Sequence, residues 1–246
     1  MLRYLIIINH RTLLTLVLSI IMPLIAYNFK IIYNIDLTLL SIAIIFPLVF
    51  TIRGAFRRRE KALEHLSRFR ASIITVINVF VSSPKVSKED KDNAINHLNT
   101  MDENLFNHLR TKNENFQPFD KNVEEFYSYL ANNSEAIGNG TREKALRFFK
   151  DTVESANNLI AIHSHRTPVS LKAYCLIFIY IFPVIYTPTI INKIGLDNPS
   201  WLTFFIVILS EFILISLYNI QDQMEYPFDD EGLDDIKFRL FSVNRK

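Results

Sequence analysis

Apolar positions gather into four stretches, residues 13–33, 37–56, 173–191 and 201–220, and thin out between the second and the third. Each approaches the roughly 20 residues that a helix needs to cross a hydrocarbon core, although Asn28 and Lys30 interrupt the first. The linkers within the two pairs are short, Asn34-Ile35-Asp36 and residues 192–200. One such stretch could be a soluble core helix; four in two closely spaced pairs could not. Hydropathy therefore predicts an integral membrane protein with four transmembrane helices.

Residues 57–166 carry a different pattern. Leu63, Leu66, Phe69, Ile73 and Ile77 recur at helical spacing, so the second span is expected to run straight on as a helix until Ser82-Ser83-Pro84 ends it. Three more helices are predicted. Residues 87–109 open on the capping-type start Ser87-Lys88-Glu89-Asp90. Residues 122–137 end at Gly138. Residues 141–165 open on Thr141 and present Leu146, Phe149, Val153, Ala156 and Ile160 on one face. No alternating strand pattern competes, and the fold class expected is all-α. The predicted organisation is residues 1–56 as the first two spans, 57–166 as a helical cytoplasmic region, 167–220 as the third and fourth spans, and 221–246 as an acidic cytoplasmic segment.

Composition sharpens this picture. The chain has 246 residues, 49% of them hydrophobic, with 20 Phe and only 5 Gly. Its mean hydropathy of +0.15 requires a sizeable polar part to dilute the spans. Basic residues sit at Arg3 and Arg11 and from Arg57-Arg58-Arg59 to Arg70, while the short linkers carry Asp36, Lys193 and Asp197. The positive-inside rule then places both termini and the middle region in the cytoplasm of a multi-pass cell-membrane protein. Cys175 is the only cysteine, which excludes an intrachain disulfide and a cysteine metal cluster. A glycine-rich phosphate loop, His-Glu-x-x-His and Gly-x-Ser-x-Gly are all missing, so no enzyme is expected. The basic run beside the second span reads as a topology determinant that also meets anionic membrane lipid, not as a nucleic-acid site.

Three features bear on function. Ile42, Phe46 and Phe50 recur every four residues and form one stripe on a helix, with Ile44 and Leu48 on another face and expected at the surface. Such a stripe faces lipid or another helix in a single chain; repeated around a symmetric oligomer it becomes a stack of hydrophobic rings that can gate by dewetting. Glu211 lies mid-way along the fourth span, where an ionisable group is expensive and faces a protein interior or water. It is the intramembrane polar candidate, with a hydrogen bond to a neighbouring helix as the structural alternative. Residues 222–235 hold seven acids, Asp222, Glu225, Asp229, Asp230, Glu231, Asp234 and Asp235, and no base. They suit calcium by chemistry but lack EF-hand spacing, and the plainer expectation is a solvated stretch that pairs with Arg57–Arg70.

The triplet Ile42, Phe46, Phe50, followed by Arg58, resembles the neck helix of the bestrophin family. Gln223-Met224-Glu225-Tyr226-Pro227-Phe228-Asp229-Asp230-Glu231 is similar to that family's Glu-Asn/Asp-Pro-Phe-Gly segment with its trailing acids. Arg166-Thr167-Pro168-Val169-Ser170 resembles its Asn-Thr-Pro-Ile-Pro entry to the third span. The likeness touches all four spans in order. Arg59-Glu60 in place of a Trp pair, Val49 in place of a glycine and Asp229 in place of another mark a divergent, short, bacterial-type relative.

The resemblance implies a pentameric ion channel, with chloride the favoured permeant ion and cations not excluded. The second spans would surround the axis, with Ile42, Phe46 and Phe50 as the pore neck, and the cytoplasmic helices would form a vestibule. It also implies a possible calcium site made of the Gln223 and Tyr226 carbonyls and the Glu231 and Asp234 side chains. A second function class stays open, a membrane-anchored interaction or signalling protein whose helical domain binds a partner.

Overall fold

The structure, a computed structural model, describes residues 8–111, 116–230, 232 and 234–244. It is all-α: α1 (His10–Asn28), α2 (Thr38–Ser82), α3 (Lys88–Arg110), α4 (Gln117–Asn132), α5 (Ser134–Ile137), α6 (Asn139–Ser164), α7 (Val169–Ile194) and α8 (Ser200–Met224), followed by a 3₁₀ turn at Phe238–Leu240. Four helical stretches are long and apolar enough to cross a membrane.

The local signals explain most boundaries. The Asn9 side chain accepts from the backbone N–H groups of Arg11 and Thr12, and Thr12 Oγ1 accepts from Asn9 N, so a reciprocal cap starts α1. Ser87 Oγ accepts from Asp90 N at 3.1 Å and starts α3. The second span does continue unbroken, and α2 runs for 45 residues. One expected helix differs. In place of a single element over 122–137, α4 begins at Gln117, because Pro118 is tolerated in a first turn. It ends at Asn132, where Asn133 donates both its backbone N–H and its Nδ2 to the Tyr129 carbonyl. The helix expected from Thr141 begins at Asn139, directly after Gly138, whose φ of 78° is a conformation that favours glycine.

The chain divides into two compact units: one holds the chain up to Arg57 together with Thr167–Glu225, the other Arg58–Arg166 and the chain from Tyr226 on. The first unit is inside out by the standards of a water-soluble fold. On α1 the buried positions are Thr12, Thr15, Ser19, Pro23 and Ala26, while Leu13, Leu14, Val17, Leu24 and Ile25 are exposed. Small side chains let helices approach closely where no hydrophobic driving force separates inside from outside. The hydroxyls of Thr15 and Ser19 donate back to the Thr12 and Thr15 carbonyls at 2.9 and 2.8 Å, so they cost nothing on burial. α8 packs on α1 antiparallel, with Asn9 hydrogen-bonded to Asn219 at one end and Tyr27 to Thr203 at the other. Leu48 of α2 closes a small apolar cluster with Cys175 and Ile179 of α7 and Ile215 and Tyr218 of α8.

The second unit has an ordinary hydrophobic core. Leu66, Phe69 and Ile73 of α2 are buried in it, with Leu63 and Ile77 at its margin, together with Phe126 of α4 and Phe149 and Ala156 of α6. The C-terminal segment belongs to this core. Phe228, Ile236 and Phe238 are buried, Phe238 stacks on Phe228 and on Phe106, and Ile236 N donates to Pro227 O at 2.8 Å. Asp102 of α3 holds the segment's end: its Oδ2 accepts from Ser242 Oγ at 3.1 Å and from Val243 N at 3.2 Å.

Burial raises the Asp102 carboxyl from an ordinary 3.8 to about 6, against the opposing pull of the Val243 and Ser242 hydrogen bonds. A carboxyl whose pKa is raised on folding binds its proton more tightly in the folded state. Its contribution to stability is therefore full below its unfolded pKa and lost as pH rises through the folded one. Thermal or denaturant unfolding should show the parent losing roughly 2–3 kcal/mol relative to Asp102→Asn between pH 4 and pH 7. A parent-minus-variant difference that stays flat, or grows in the parent's favour, would contradict this assignment.

Candidate functional site: the exposed face of α2

The membrane half of α2 has two faces of opposite fate. Ile44, Leu48, Thr51 and Ala55 are buried, 0–3% exposed. Ile42, Phe46 and Phe50 lie on the opposite side and are 45%, 55% and 60% exposed, with the two phenyl rings 6.1 Å apart. At about 100° per residue the stripe and the buried ridge differ by close to half a turn, so both belong to one rigid helix. Ile44 and Leu48, expected at the surface, are buried in the unit's interior; the helix packs through them, and the exposed side is free. Ile42 and Phe46 also border an open cleft of about 540 Å³ lined by Asp36, Ser41, Tyr186 and Lys193.

Pro47 sits inside this helix, next to Phe46. Proline has no N–H, so the carbonyl four residues earlier loses its helical partner. That carbonyl belongs to Ala43, and the Tyr174 hydroxyl donates to it at 3.3 Å. Pro188 of α7 frees the Val184 carbonyl in the same way, and the Tyr33 hydroxyl lies 3.4 Å from it. A tyrosine thus reaches each of these two carbonyls, Tyr33 sharing its hydroxyl with the Ile185 carbonyl at 3.3 Å. Nothing in the sequence alone pairs these residues.

The acidic residues are not one solvated stretch pairing with Arg57–Arg70. Asp222 and Glu225 belong to a compact clasp. Lys172 Nζ lies 2.6 Å from Asp222 Oδ1 and 2.7 Å from Glu225 Oε2, and Arg11 pairs with Asp222 Oδ2 at 3.0 Å. Glu225, with only 1% of its side chain exposed, also accepts from Thr167 N at 2.7 Å and Gln221 Nε2 at 3.3 Å. The clasp ties α1, α7 and α8 together. Asp230 lies 3.8 Å from Arg110. The contacts of Arg59 and Arg70 with the C-terminal segment go to main-chain oxygens, Asp234 O at 2.7 Å and Ser242 O at 3.2 Å.

Of the residues considered for calcium, Gln223 is in the last turn of α8, Tyr226 lies under the Arg166 guanidinium at 4.1 Å from its ring centroid, and Asp234 is exposed. Glu231 lies outside the described residues. Asp235 turns inward, accepting from Gly232 N at 2.6 Å. Among the described residues no three His, Cys, Asp or Glu side chains gather as a metal-binding group.

Glu211 is fully buried, as its place in the fourth span suggested, and neither carboxyl oxygen has a hydrogen-bond partner. The structural alternative, a bond to a neighbouring helix, is not made. The Asn9–Asn219 and Tyr27–Thr203 contacts fix the register of α1 and α8 and set Glu211 level with Thr15 and Ser19, whose hydroxyl protons are already committed to their own helix.

No protein-family profile matches the chain, and no curated protein matches it either. Solved structures do. A bacterial bestrophin homologue from Klebsiella pneumoniae superposes with a TM-score of 0.79 at 14% identity, over 94% of this chain and 93% of that one. A tyrosine-to-alanine variant of a bacterial bestrophin homologue from the same organism gives 0.79 at 13% identity over the same shares. A structure described only as a membrane protein, a proline-to-alanine variant, gives 0.75 at 14% identity, over 94% and 93%. At such identity the likeness is one of fold, and the fold is bestrophin-like.

Two substitutions should move stability in opposite directions. Lys172→Ala leaves Glu225 buried without its cation and should cost about 3–5 kcal/mol. Glu211→Leu removes an unpartnered carboxyl at similar volume and should stabilise the detergent-solubilised protein by about 1–3 kcal/mol. Thermal unfolding reads both; destabilisation by Glu211→Leu would mean that the carboxyl has a partner in the assembled protein.

Proposed function

We propose that the protein is an oligomeric, pentameric ion channel whose pore neck is built from Ile42, Phe46 and Phe50 of α2. The observation that carries this reading is the two-faced helix: α2 is anchored by Ile44, Leu48, Thr51 and Ala55, and offers an apolar stripe away from its own subunit. Four mostly apolar helices cannot enclose an aqueous path, but copies related by a rotation axis can, with the same stripe from each copy meeting at the centre. The bestrophin-like fold supports the same assignment at the level of architecture.

In this reading the rings gate. A constriction lined by phenyl groups resists wetting, and permeation requires the rings to part or an ion to shed little water on entry. Large, weakly hydrated anions suit such a passage better than small cations, so chloride is the favoured ion. Both termini and the second unit are cytoplasmic, following the basic residues around α1 and α2. The chain carries out transport and no covalent chemistry.

Ile42→Ala/Phe46→Ala/Phe50→Ala should raise basal chloride flux in liposomes several-fold at matched oligomer content, because the bulk that keeps the neck dry is gone. Leu13→Ala and Leu24→Ala on the outward side of α1, 68% and 50% exposed, are the lipid-facing controls and should leave flux unchanged. Ile44 and Leu48 cannot serve, since truncating them opens a cavity. Equal flux from the triple variant and the parent would remove the stripe from the pore, and a monomer in mild detergent would remove the channel.

A further inference from the structure

We propose that Arg53 and Arg57 form the charge filter of this pore, a double belt of guanidinium groups beyond the neck that makes permeation anion-selective. The inference rests on the channel reading above and adds to it the residues that decide the sign of the ion.

The geometry starts from the helix. At about 100° per residue, Arg53 and Arg57 both fall within about 20° of the Phe46 direction, so they continue the stripe of Ile42, Phe46 and Phe50. With a rise of about 1.5 Å per residue they stand about 4.5 Å and 10 Å past Phe50 along the axis. Both are exposed.

The four neighbouring arginines are put to different uses. Arg58 donates to the His165 carbonyl at 3.2 Å, and Arg59 donates to the Asp234 carbonyl at 2.7 Å and pairs with Glu60 at 3.4 Å. These two belong to the fold. No ion pair or hydrogen bond links Arg53 or Arg57 to any described residue. Glu64, the other acid near them in sequence, is already taken by Lys61 and Arg68. The stripe thus ends in two cations per subunit that no described residue neutralises.

A ring of phenyl groups discriminates by size and hydration and only weakly by charge. Fixed cations discriminate by charge. Repeated around an axis, unneutralised guanidinium groups concentrate anions and repel cations where an ion enters or leaves the dry segment. The Debye length is about 8 Å at physiological ionic strength, so at least the nearer belt acts on an ion at the neck. Phosphate headgroups of anionic lipid share this chemistry, and the experiment separates the two sources.

The test is the reversal potential of the full-length protein under a KCl gradient, in neutral vesicles and in vesicles with anionic lipid. Arg53→Gln/Arg57→Gln should lower the chloride-to-potassium permeability ratio about fivefold or more in dilute salt, and by less near 1 M, where the Debye length shrinks to about 3 Å. Arg53→Lys/Arg57→Lys should keep most of the parent's ratio. Its behaviour, with that of the two single glutamine variants, keeps the question answerable if the double variant fails to assemble. An unchanged ratio in the glutamine variants overturns the filter while leaving the channel standing. An unchanged ratio in glutamine variants that have lost the parent's dependence on anionic lipid assigns the arginines to headgroups and likewise overturns it. A parent that assembles but passes no ion removes the channel reading and the filter with it.

Discussion

Inside the apolar unit there is no water to complete a hydrogen bond, and that constraint organises everything else there. A helix meets it by satisfying its own backbone, and the difficulties arise where it cannot. Pro47 and Pro188 each orphan a carbonyl, and Tyr174 and Tyr33 each bring a hydroxyl to it. Thr15 and Ser19 turn their hydroxyls back on α1. The charged groups collect at one end, where Lys172 and Arg11 neutralise Asp222 and Glu225 and the Thr167 and Gln221 amides occupy the remaining acceptor sites. A buried ion pair adds little net stability over an apolar pair. What this clasp supplies is register: it holds α1, α7 and α8 at one height.

That register is what frees α2. With α1, α7 and α8 tied to one another, α2 needs only one edge to join them, and Leu48 against Cys175, Ile179, Ile215 and Tyr218 provides it. Its other side carries bulky apolar groups that the described residues leave about half exposed. The same helix then changes role along its length. Past Arg57 its apolar positions, Leu66, Phe69 and Ile73, are at the centre of a water-soluble type of core. One 45-residue element therefore answers two different solvents in turn. The continuity is possible because helical periodicity is indifferent to which medium lies outside.

Periodicity is also why so much could be read from the chain. The four spans, the uninterrupted second helix, the caps at Ser87 and Gly138, and the stripe of Ile42, Phe46 and Phe50 are all local patterns. What was illegible depends on which face looks inward. The membrane half of α2 is apolar on every side, so no local pattern tells that Ile44 and Leu48 are the residues that pack, and the water-soluble habit of burying apolar residues overlooks the small polar face of α1. The C-terminal segment misleads for a related reason. Its acids dominate by count, but Phe228, Ile236 and Phe238 decide where it goes, since burying apolar surface is worth more than keeping a few carboxylates solvated. The pairings of Tyr174 with Ala43 and of Lys172 with Glu225 join residues remote in sequence, and no local pattern announces them. α4 starts five residues before the expected position because Pro118 fits a first turn.

A sequence that specified this fold for stability alone would have no reason to keep an unpartnered glutamate inside α8 or two arginines on α2 that no described residue neutralises. Each breaks a rule that the rest of the chain obeys. Glu211 is buried without a donor although Lys172 and Arg11, paired with Asp222, show that the chain pairs its acids elsewhere. Phe46 and Phe50 are as exposed as Phe29, Phe56 and Phe205 of the same unit, and what sets them apart is that they share one stripe with Arg53 and Arg57. Arg53 and Arg57 are left bare beside Arg58 and Arg59, which the fold uses. Departures of this kind persist where something outside the single chain makes them favourable. For the stripe and its arginines, the economical cover is further copies of the same helix around an axis, since one arrangement then accounts for an apolar constriction and for the charge that follows it.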